Sequence, residues 1–263
     1  MRIEFSKYHG TGNDFILLDN RDLKYSKLSS EQIKKVCDRH FGVGADGLML
    51  LQKSKDFDFE MKYYNSDGNE GSMCGNGGRC IVAFAKLIGI IDKRADFIAI
   101  DGIHYAEIDD SNIVDLKMKS IDIKDIVIEN NDYILDTGSP HLVKYIDDVE
   151  NLDVFNQGKS IRNSERFFKK GINVNFVKIV KENSLFVRTY ERGVENETLS
   201  CGTGAVASAV SLYFKKQSNS NSVIEINTLG GTLLVSIDFM SENKLNISLK
   251  GSTTRVFNGT IDL

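Results

Sequence analysis

Residues Ser72 to Cys80 read S-M-C-G-N-G-G-R-C, and an apolar segment, Ile81 to Ile91, follows directly. Glycines in a first helical turn leave open the backbone N–H groups that have no partner inside the helix. A cysteine placed just before such a turn sits at the positive end of the helix dipole, where the thiolate is favoured. The pattern returns as L-S-C-G-T-G-A-V-A at Leu199 to Ala207. Lys86 is the only charged residue from Cys80 to Ile91, and Ala205 to Phe214 has none. Helices apolar nearly all round must be enclosed by the rest of their domain.

Cys74 and Cys201 lie 127 residues apart, close to half of the 263-residue chain, and more aligns at that offset. N-E-G-S-M-C-G-N-G-G from Asn69 falls over N-E-T-L-S-C-G-T-G-A from Asn196. Asn65 falls over Arg192, Gly44 over Gly171, and H-G-T-G-N-D from His9 over D-T-G-S-P-H from Asp136. A repeat of this length reads as a duplicated domain rather than a solenoid unit. The remainder is rich in short strand patterns: RIEFSKYHG, FDFEMKYYN, DFIAID, VDLKMKS, NFVKIV, LFVRTYE, VIEINTLGG, TLLVSID and KLNISLKG. SSEQIKKVCDRH reads as a helix, with Ser29 and Gln32 forming a capping box and Ile33, Val36 and Cys37 on one face. The expected fold is α/β, an α+β roll of two pseudo-symmetric domains, each a mixed sheet curled around a central buried helix. The halves are expected at residues 1–118, joined by a C-terminal strand at 252–263, and at 119–251. Pro140 is the only proline and marks a rigid loop.

Composition excludes several classes. The chain is 41% hydrophobic and 27% charged, with a net charge of −4 and no basic stripe, which argues against nucleic acid. No apolar run reaches membrane-spanning length, and the opening MRIEFSKYHG lacks a signal-peptide stretch. The expected location is therefore cytoplasmic, with no membrane partner. Four cysteines, Cys37, Cys74, Cys80 and Cys201, offer no C-x-x-C pair, so neither a metal site nor a disulfide framework is expected. Cys37 and Cys80 read as small buried hydrophobes.

Each half thus offers an anion cradle at a helix N-terminus with a thiol beside it. If the halves face each other, two cradles converge on one carboxylate and two thiols flank it. Inverting a stereocentre beside a carboxylate needs one group to take the α-proton and another to return one to the opposite face. Two side chains of similar pKa can do this without a cofactor. N–H donors aimed at the carboxylate would stabilise the charge that builds up. No G-x-G-x-x-G or P-loop fingerprint is present.

HGTGNDFILLDN, FGVGADG, YNSDGNEGSMCGNGGRC, GSPH, INVNF and YERGVENETLSCGTGA occur in an order that resembles the diaminopimelate epimerase family, from Phe5 to the closing RVFNGTI. The resemblance implies two α/β domains with the active site in the cleft between them, no metal and no cofactor. It also implies interconversion of LL- and meso-2,6-diaminopimelate for lysine and peptidoglycan synthesis, and a homodimer. Carried over by matching motif, Cys74 and Cys201 are the acid/base thiols. Gly75, Asn76, Gly202 and Thr203 bind the reacting carboxylate. Asn13, Asn65, Asn173, Glu191 and Arg192 hold the distal amino-acid end, and His141 and Glu191 tune the thiols. Arg192 suits a planar carboxylate clamp.

Three positions depart from the family pattern: Ser139 in place of Asn, Gly47 in place of Gln, and one extra residue between Glu191 and Cys201. Taken alone, Asn65 in YNSDGNE reads as a turn residue. His9 and His104 read as structural. Two other readings stay open: a racemase of another amino acid on the same scaffold, and a redox or metal-binding protein using Cys74 and Cys80.

Overall fold

The computed structural model describes residues 1–71, 73–218, 220–240 and 243–263, so Ser72 of the opening motif lies outside the described residues. The chain divides into two compact units, Met1–Leu116 with Gly251–Leu263, and Lys117–Lys250.

In the first unit, β1 (Arg2–Gly10) and β2 (Asn13–Asp19) form a hairpin. Its turn residues Thr11 and Gly12 both take positive φ, 49° and 86°, the geometry that suits a two-residue hairpin. α1 (Ser30–Cys37) carries the chain to β3 (Gly47–Gln52), which runs parallel to β2. The Ser29–Gln32 capping box is present, and Ile33, Val36 and Cys37 are the buried face of α1. β4 (Phe59–Asn65) returns antiparallel to β3, and β5 (Glu70–Gly71) pairs back on β4. α2 (Gly75–Leu87) then crosses to β6 (Arg94–Ala99), parallel to β4, and β7 (Gly102–Ile108) turns back on β6. β8 (Ile113–Asp122) pairs with β7 and carries the chain out of the unit.

The second unit repeats these pairings. β9 (Val127–Glu129) and β11 (Pro140–Tyr145) both lie antiparallel to β10 (Asp132–Asp136), and α3 (Val154–Arg162) leads to β12 (Asn173–Lys181), parallel to β11. β13 (Ser184–Glu191) is antiparallel to β12, and β14 (Asn196–Thr198) pairs back on β13. α4 (Gly202–Lys215) crosses to β15 (Ser222–Thr228), parallel to β13, and β16 (Gly231–Met240) returns. β17 (Lys244–Ser252) leads back to β18 (Thr254–Asp262), which completes the first unit antiparallel to β1. The order antiparallel, parallel, antiparallel, parallel is the same in both units, so the 127-residue offset is a structural duplication.

α2 packs against β1, β2, β3 and β7, and α4 against β10, β11, β12, β13, β15 and β16. Every residue from Gly75 to Ala85 is buried, and in α4 every residue from Gly204 to Tyr213. Both helices start earlier than their apolar runs suggest, at Gly75 and Gly202, because the glycines themselves form the first turn. Both also end in the same way. Gly89 takes φ +74°, its N–H reaches Lys86 O, and Ile90 N–H reaches Ala85 O, so α2 stops at Leu87 rather than Ile91. Gln217 takes the same left-handed position after α4, at φ +53°.

Shape decides some glycines. On α3, a Cβ at Gly158 would stand 2.3 Å from Tyr190 Cβ. Alanine raises helix propensity by about 1 kcal/mol over glycine, but overpacking a tight contact costs about 1–3 kcal/mol and acts on backbone-fixed atoms here. Gly158→Ala is therefore expected to lower the urea midpoint of unfolding. An unchanged or raised midpoint would show that α3 is free to shift.

Candidate active site

Cys74 is the N-cap of α2, in extended conformation with φ −108° and ψ 152°. Its Sγ accepts a hydrogen bond from Gly77 N–H at 3.2 Å, so the sulfur takes the place of a capping oxygen. The ends of neighbouring side chains crowd the first turn. A Cβ at Gly77 would meet Met49 Cε at 2.5 Å, and one at Gly78 would meet Met73 Sδ at 2.8 Å.

A polar chain runs from this turn. Arg79 is wholly buried, and its guanidinium donates to Gly75 O at 3.1 Å, Asn76 Oδ1 at 3.1 Å and Thr11 Oγ1 at 3.3 Å. A guanidinium has no acceptor, so Asn76 must turn its oxygen toward Arg79 and its NH2 group outward. That NH2 donates to Asn13 Oδ1 at 3.2 Å, and Asn13 Nδ2 donates to Asp46 Oδ2 at 2.7 Å. Asn13 and Asn76 are thus brought together and oriented from both ends. Arg39 bridges Asp46 to Asp14, which also pairs with Lys7 at 2.6 Å. Burial opposes the charge on Asp14, yet Arg39 and Lys7 together hold its carboxyl down at about 2.

Arg79 had no role assigned from the sequence, although it sits inside the S-M-C-G-N-G-G-R-C motif. Among the described residues its Nε has no hydrogen-bond partner, and burial pushes its pKa down, with the thiols of Cys80 and Cys74 nearby. Asn65 is exposed at the end of β4, in the turn where Gly68 N–H reaches its carbonyl. At Gly47 a Cβ would stand 2.4 Å from the Tyr63 ring, so that aromatic ring occupies the room of a longer residue.

In the second unit Cys201 is the N-cap of α4, with φ −114° and ψ 114°. Its Sγ lies 3.4 Å from the Thr203 hydroxyl, which lies 2.9 Å from Nε2 of His141. His141 is fully buried on β11, and burial pushes its pKa down to about 3, so it is neutral at pH 7. Gly202, the first residue of α4, is buried beside Cys201.

Arg192 follows β13. Its N–H donates to Asn173 Oδ1 at 2.8 Å, and its guanidinium donates to Lys170 O at 2.9 Å and Ser139 Oγ at 3.4 Å. Asn173 donates to Ser139 Oγ at 2.9 Å and Pro140 O at 3.0 Å. With both N–H groups and its oxygen engaged, Asn173 holds Ser139 and the Arg192 backbone together. Ser139 is therefore a working member of this cluster. Glu191 Oε2 accepts from Thr198 Oγ1 at 2.9 Å. The loop with the extra residue is tied at its far side, where Arg188 grips Glu197 at 2.6 and 2.8 Å.

The bridge between Cys74 and Cys80 that a redox reading needs is poorly placed. Six helical residues rise about 9 Å along the axis, whereas bridged cysteines need Cα atoms within about 7 Å. Cys80 is also fully buried, which pushes its thiol up. Among the described residues no group of three or more His, Cys, Asp or Glu is placed to hold a metal. No helix among them is long and apolar enough to cross a membrane. The His104 ring packs at a tilt of 31° against Phe97 and lies 3.3 Å from Asp101.

Residues 5–120 and 133–256 match the family model described as diaminopimelate epimerase. The diaminopimelate epimerase of Flavobacterium psychrophilum is 51% identical over 97% of this chain and 98% of its own length. That of Chlorobaculum tepidum is 42% identical over 97% of this chain and 99% of its own. Among solved structures, a phenazine biosynthesis protein of the PhzF family from Bacillus anthracis superposes with a TM-score of 0.77. It covers 100% of both chains at 14% identity, which is a likeness of fold.

His141 sets an acid limit on stability. Its pKa is about 3 when folded and near 6.5 when unfolded, so between these values the unfolded chain binds the extra proton. Its stabilising contribution is whole above about pH 6.5 and is lost as pH falls toward 3. The unfolding free energy, measured in urea, is expected to fall between pH 6.5 and 4.5 with a slope approaching about 1.4 kcal/mol per unit. His141→Gln is expected to flatten that window. An equal slope in the variant would place the titrating group elsewhere.

Proposed function

The chain belongs to the diaminopimelate epimerase family, and from that premise we propose that it interconverts LL- and meso-2,6-diaminopimelate without a cofactor, in the synthesis of lysine and peptidoglycan precursors. The observation that carries the mechanism is a cysteine at the N-cap of a buried, glycine-started helix in each duplicated unit.

One thiolate takes the α-proton while the other thiol gives its proton to the opposite face of the same carbon. The roles exchange in the reverse direction. The reacting carboxylate is held by backbone N–H groups of Gly75, Asn76, Gly202 and Thr203, at the positive ends of the two helices. Charge moving from the α-carbon onto the carboxylate oxygens then meets donors already in place, so little reorganisation is needed. Asn13, Asn65, Asn173, Glu191 and Arg192 hold the distal end. Arg192 takes its carboxylate, Glu191 its ammonium, and Asn173 acts through Ser139 and the Arg192 backbone. Glu191 and His141 tune the thiols. Residues 1–118 with 252–263, and 119–251, serve as the two epimerase halves of each chain, in a cytoplasmic homodimer acting on a small amino-acid substrate.

Cys74→Ala and Cys201→Ala are each expected to lower turnover of LL-diaminopimelate by about 10²–10⁴-fold, the usual contribution of a positioned acid or base. Turnover can be followed by α-deuterium uptake from D₂O, with single-centre amino acids run beside it. Undiminished α-proton exchange in both variants would remove the thiols from the mechanism. Faster exchange into a single-centre amino acid would move the substrate.

A further inference from the structure

Asn175 is a fully buried polar residue on β12, two positions after Asn173 and on the same face. It lies directly across from Thr189 of β13. Its Nδ2 is 3.0 Å from the carbonyl oxygen of Leu142 and 3.1 Å from Nδ1 of His141. Its Oδ1 accepts from the Thr189 hydroxyl at 2.9 Å. A Cβ at Gly204 would stand 2.3 Å from that oxygen, so the first turn of α4 is pressed against the amide.

These contacts fix the direction of the hydrogen bonds from Asn175 to Thr203, and a thiolate at Cys201, which can only accept, fixes the last one. A carbonyl oxygen only accepts, so the amide group facing Leu142 O is the NH2. The same NH2 faces Nδ1 of His141, which must therefore present its lone pair. The ring proton then sits on Nε2, since the hydrogen bond at one imidazole nitrogen decides the state of the other. Nε2–H donates to Thr203 Oγ1 across 2.9 Å. With its oxygen accepting there, the Thr203 hydroxyl has its own hydrogen left for the Cys201 sulfur 3.4 Å away.

We propose that Asn175 is a positioning residue that locks His141 in the Nε2–H tautomer and so makes the Thr203 hydroxyl a standing donor to the Cys201 sulfur. A donor held at the sulfur favours the thiolate over the thiol, because the thiolate is the stronger acceptor. Protonating His141 would set an Nδ1–H against the Asn175 NH2, so the arrangement resists the imidazolium form as well. Charged and titratable groups around the ring are few. Asp136 at the end of β10 favours its protonation, Arg192 beyond β13 opposes it, and Cys201 lies past Thr203 at the start of α4. From β12, the polar side chains next to His141 are the amides of Asn173 and Asn175.

The effect on catalysis rests on the reading of Cys201 as an acid/base thiol; the tautomer does not. ¹⁵N NMR of histidine-labelled protein separates the two, with His141 assigned by the signal lost in His141→Gln. At pH 7 the expected pattern is an unprotonated Nδ1 and a protonated Nε2. In Asn175→Asp the new carboxylate draws a proton to Nδ1, Nε2 becomes an acceptor, and the Thr203 hydroxyl is diverted from the sulfur. Epimerase turnover of that variant is then expected to fall about 10–100-fold at pH 7, with KM within about twofold because the side chain does not reach substrate. The loss is expected to shrink as pH rises and the thiol ionises unaided. A structural role alone would lower turnover equally at every pH. A wild-type ring protonated at Nδ1 overturns the proposal whatever the variants do. So does an Asn175→Asp protein whose pH profile matches wild type. A wild-type protein with the expected tautomer and no exchange of diaminopimelate would sink the functional reading and leave the tautomer assignment standing.

Discussion

A helix that is apolar nearly all round has no stable place except inside its own domain, and this requirement organises both units, with Arg79 as the one charge that α2 buries. Once α2 and α4 are enclosed by strands, their side chains have little freedom and their first turns become fixed points. The unpaired N–H groups of those turns still need acceptors. At Gly77 N–H the acceptor is a cysteine sulfur. Glycine in the turn then follows from crowding as much as from backbone freedom, since Met49, Met73 and Asn175 press against Gly77, Gly78 and Gly204.

The two thiols stand in different surroundings although the units repeat. Cys74 shares its neighbourhood with a buried guanidinium that carries a permanent charge, and Arg79 in turn orients Asn76 and Asn13. Cys201 has a neutral line of hydrogen bonds behind it, from Thr189 through Asn175, His141 and Thr203. A buried charge thus stands near one sulfur and a hydroxyl group near the other. The two stereoisomers of the proposed substrate are not equivalent, and neither are the groups proposed to act on them.

Much of this was legible in the residues. The capping box of α1, the strand patterns of β1, β13 and β16, and the duplicated cysteine turns each carry a local signature that a single window contains. What was not legible depended on tertiary neighbours. G-L-M-L-L-Q of β3 is buried at every position and shows no alternation, and α3 has Gly158 in its middle, which no helix pattern favours. The end of α2 was hidden as well, because the apolar run continues to Ile91 and only the positive φ of Gly89 stops the helix at Leu87. Arg79 and Asn175 lie within S-M-C-G-N-G-G-R-C and I-N-V-N-F, yet their surroundings arise from burial and from which atoms face them. The period-two spacing of Asn173 and Asn175 on one strand was the available hint for the second.

The central claim is that one thiol removes the α-proton and a different thiol supplies its replacement. Incubating LL-diaminopimelate with the protein in D₂O and stopping at low conversion tests it most directly. The account predicts deuterium at the inverted carbon of the meso product, while the recovered LL substrate keeps its protium. Deuterium in the recovered substrate at the same rate, or product that retains the original proton, would point to a single base and contradict the account.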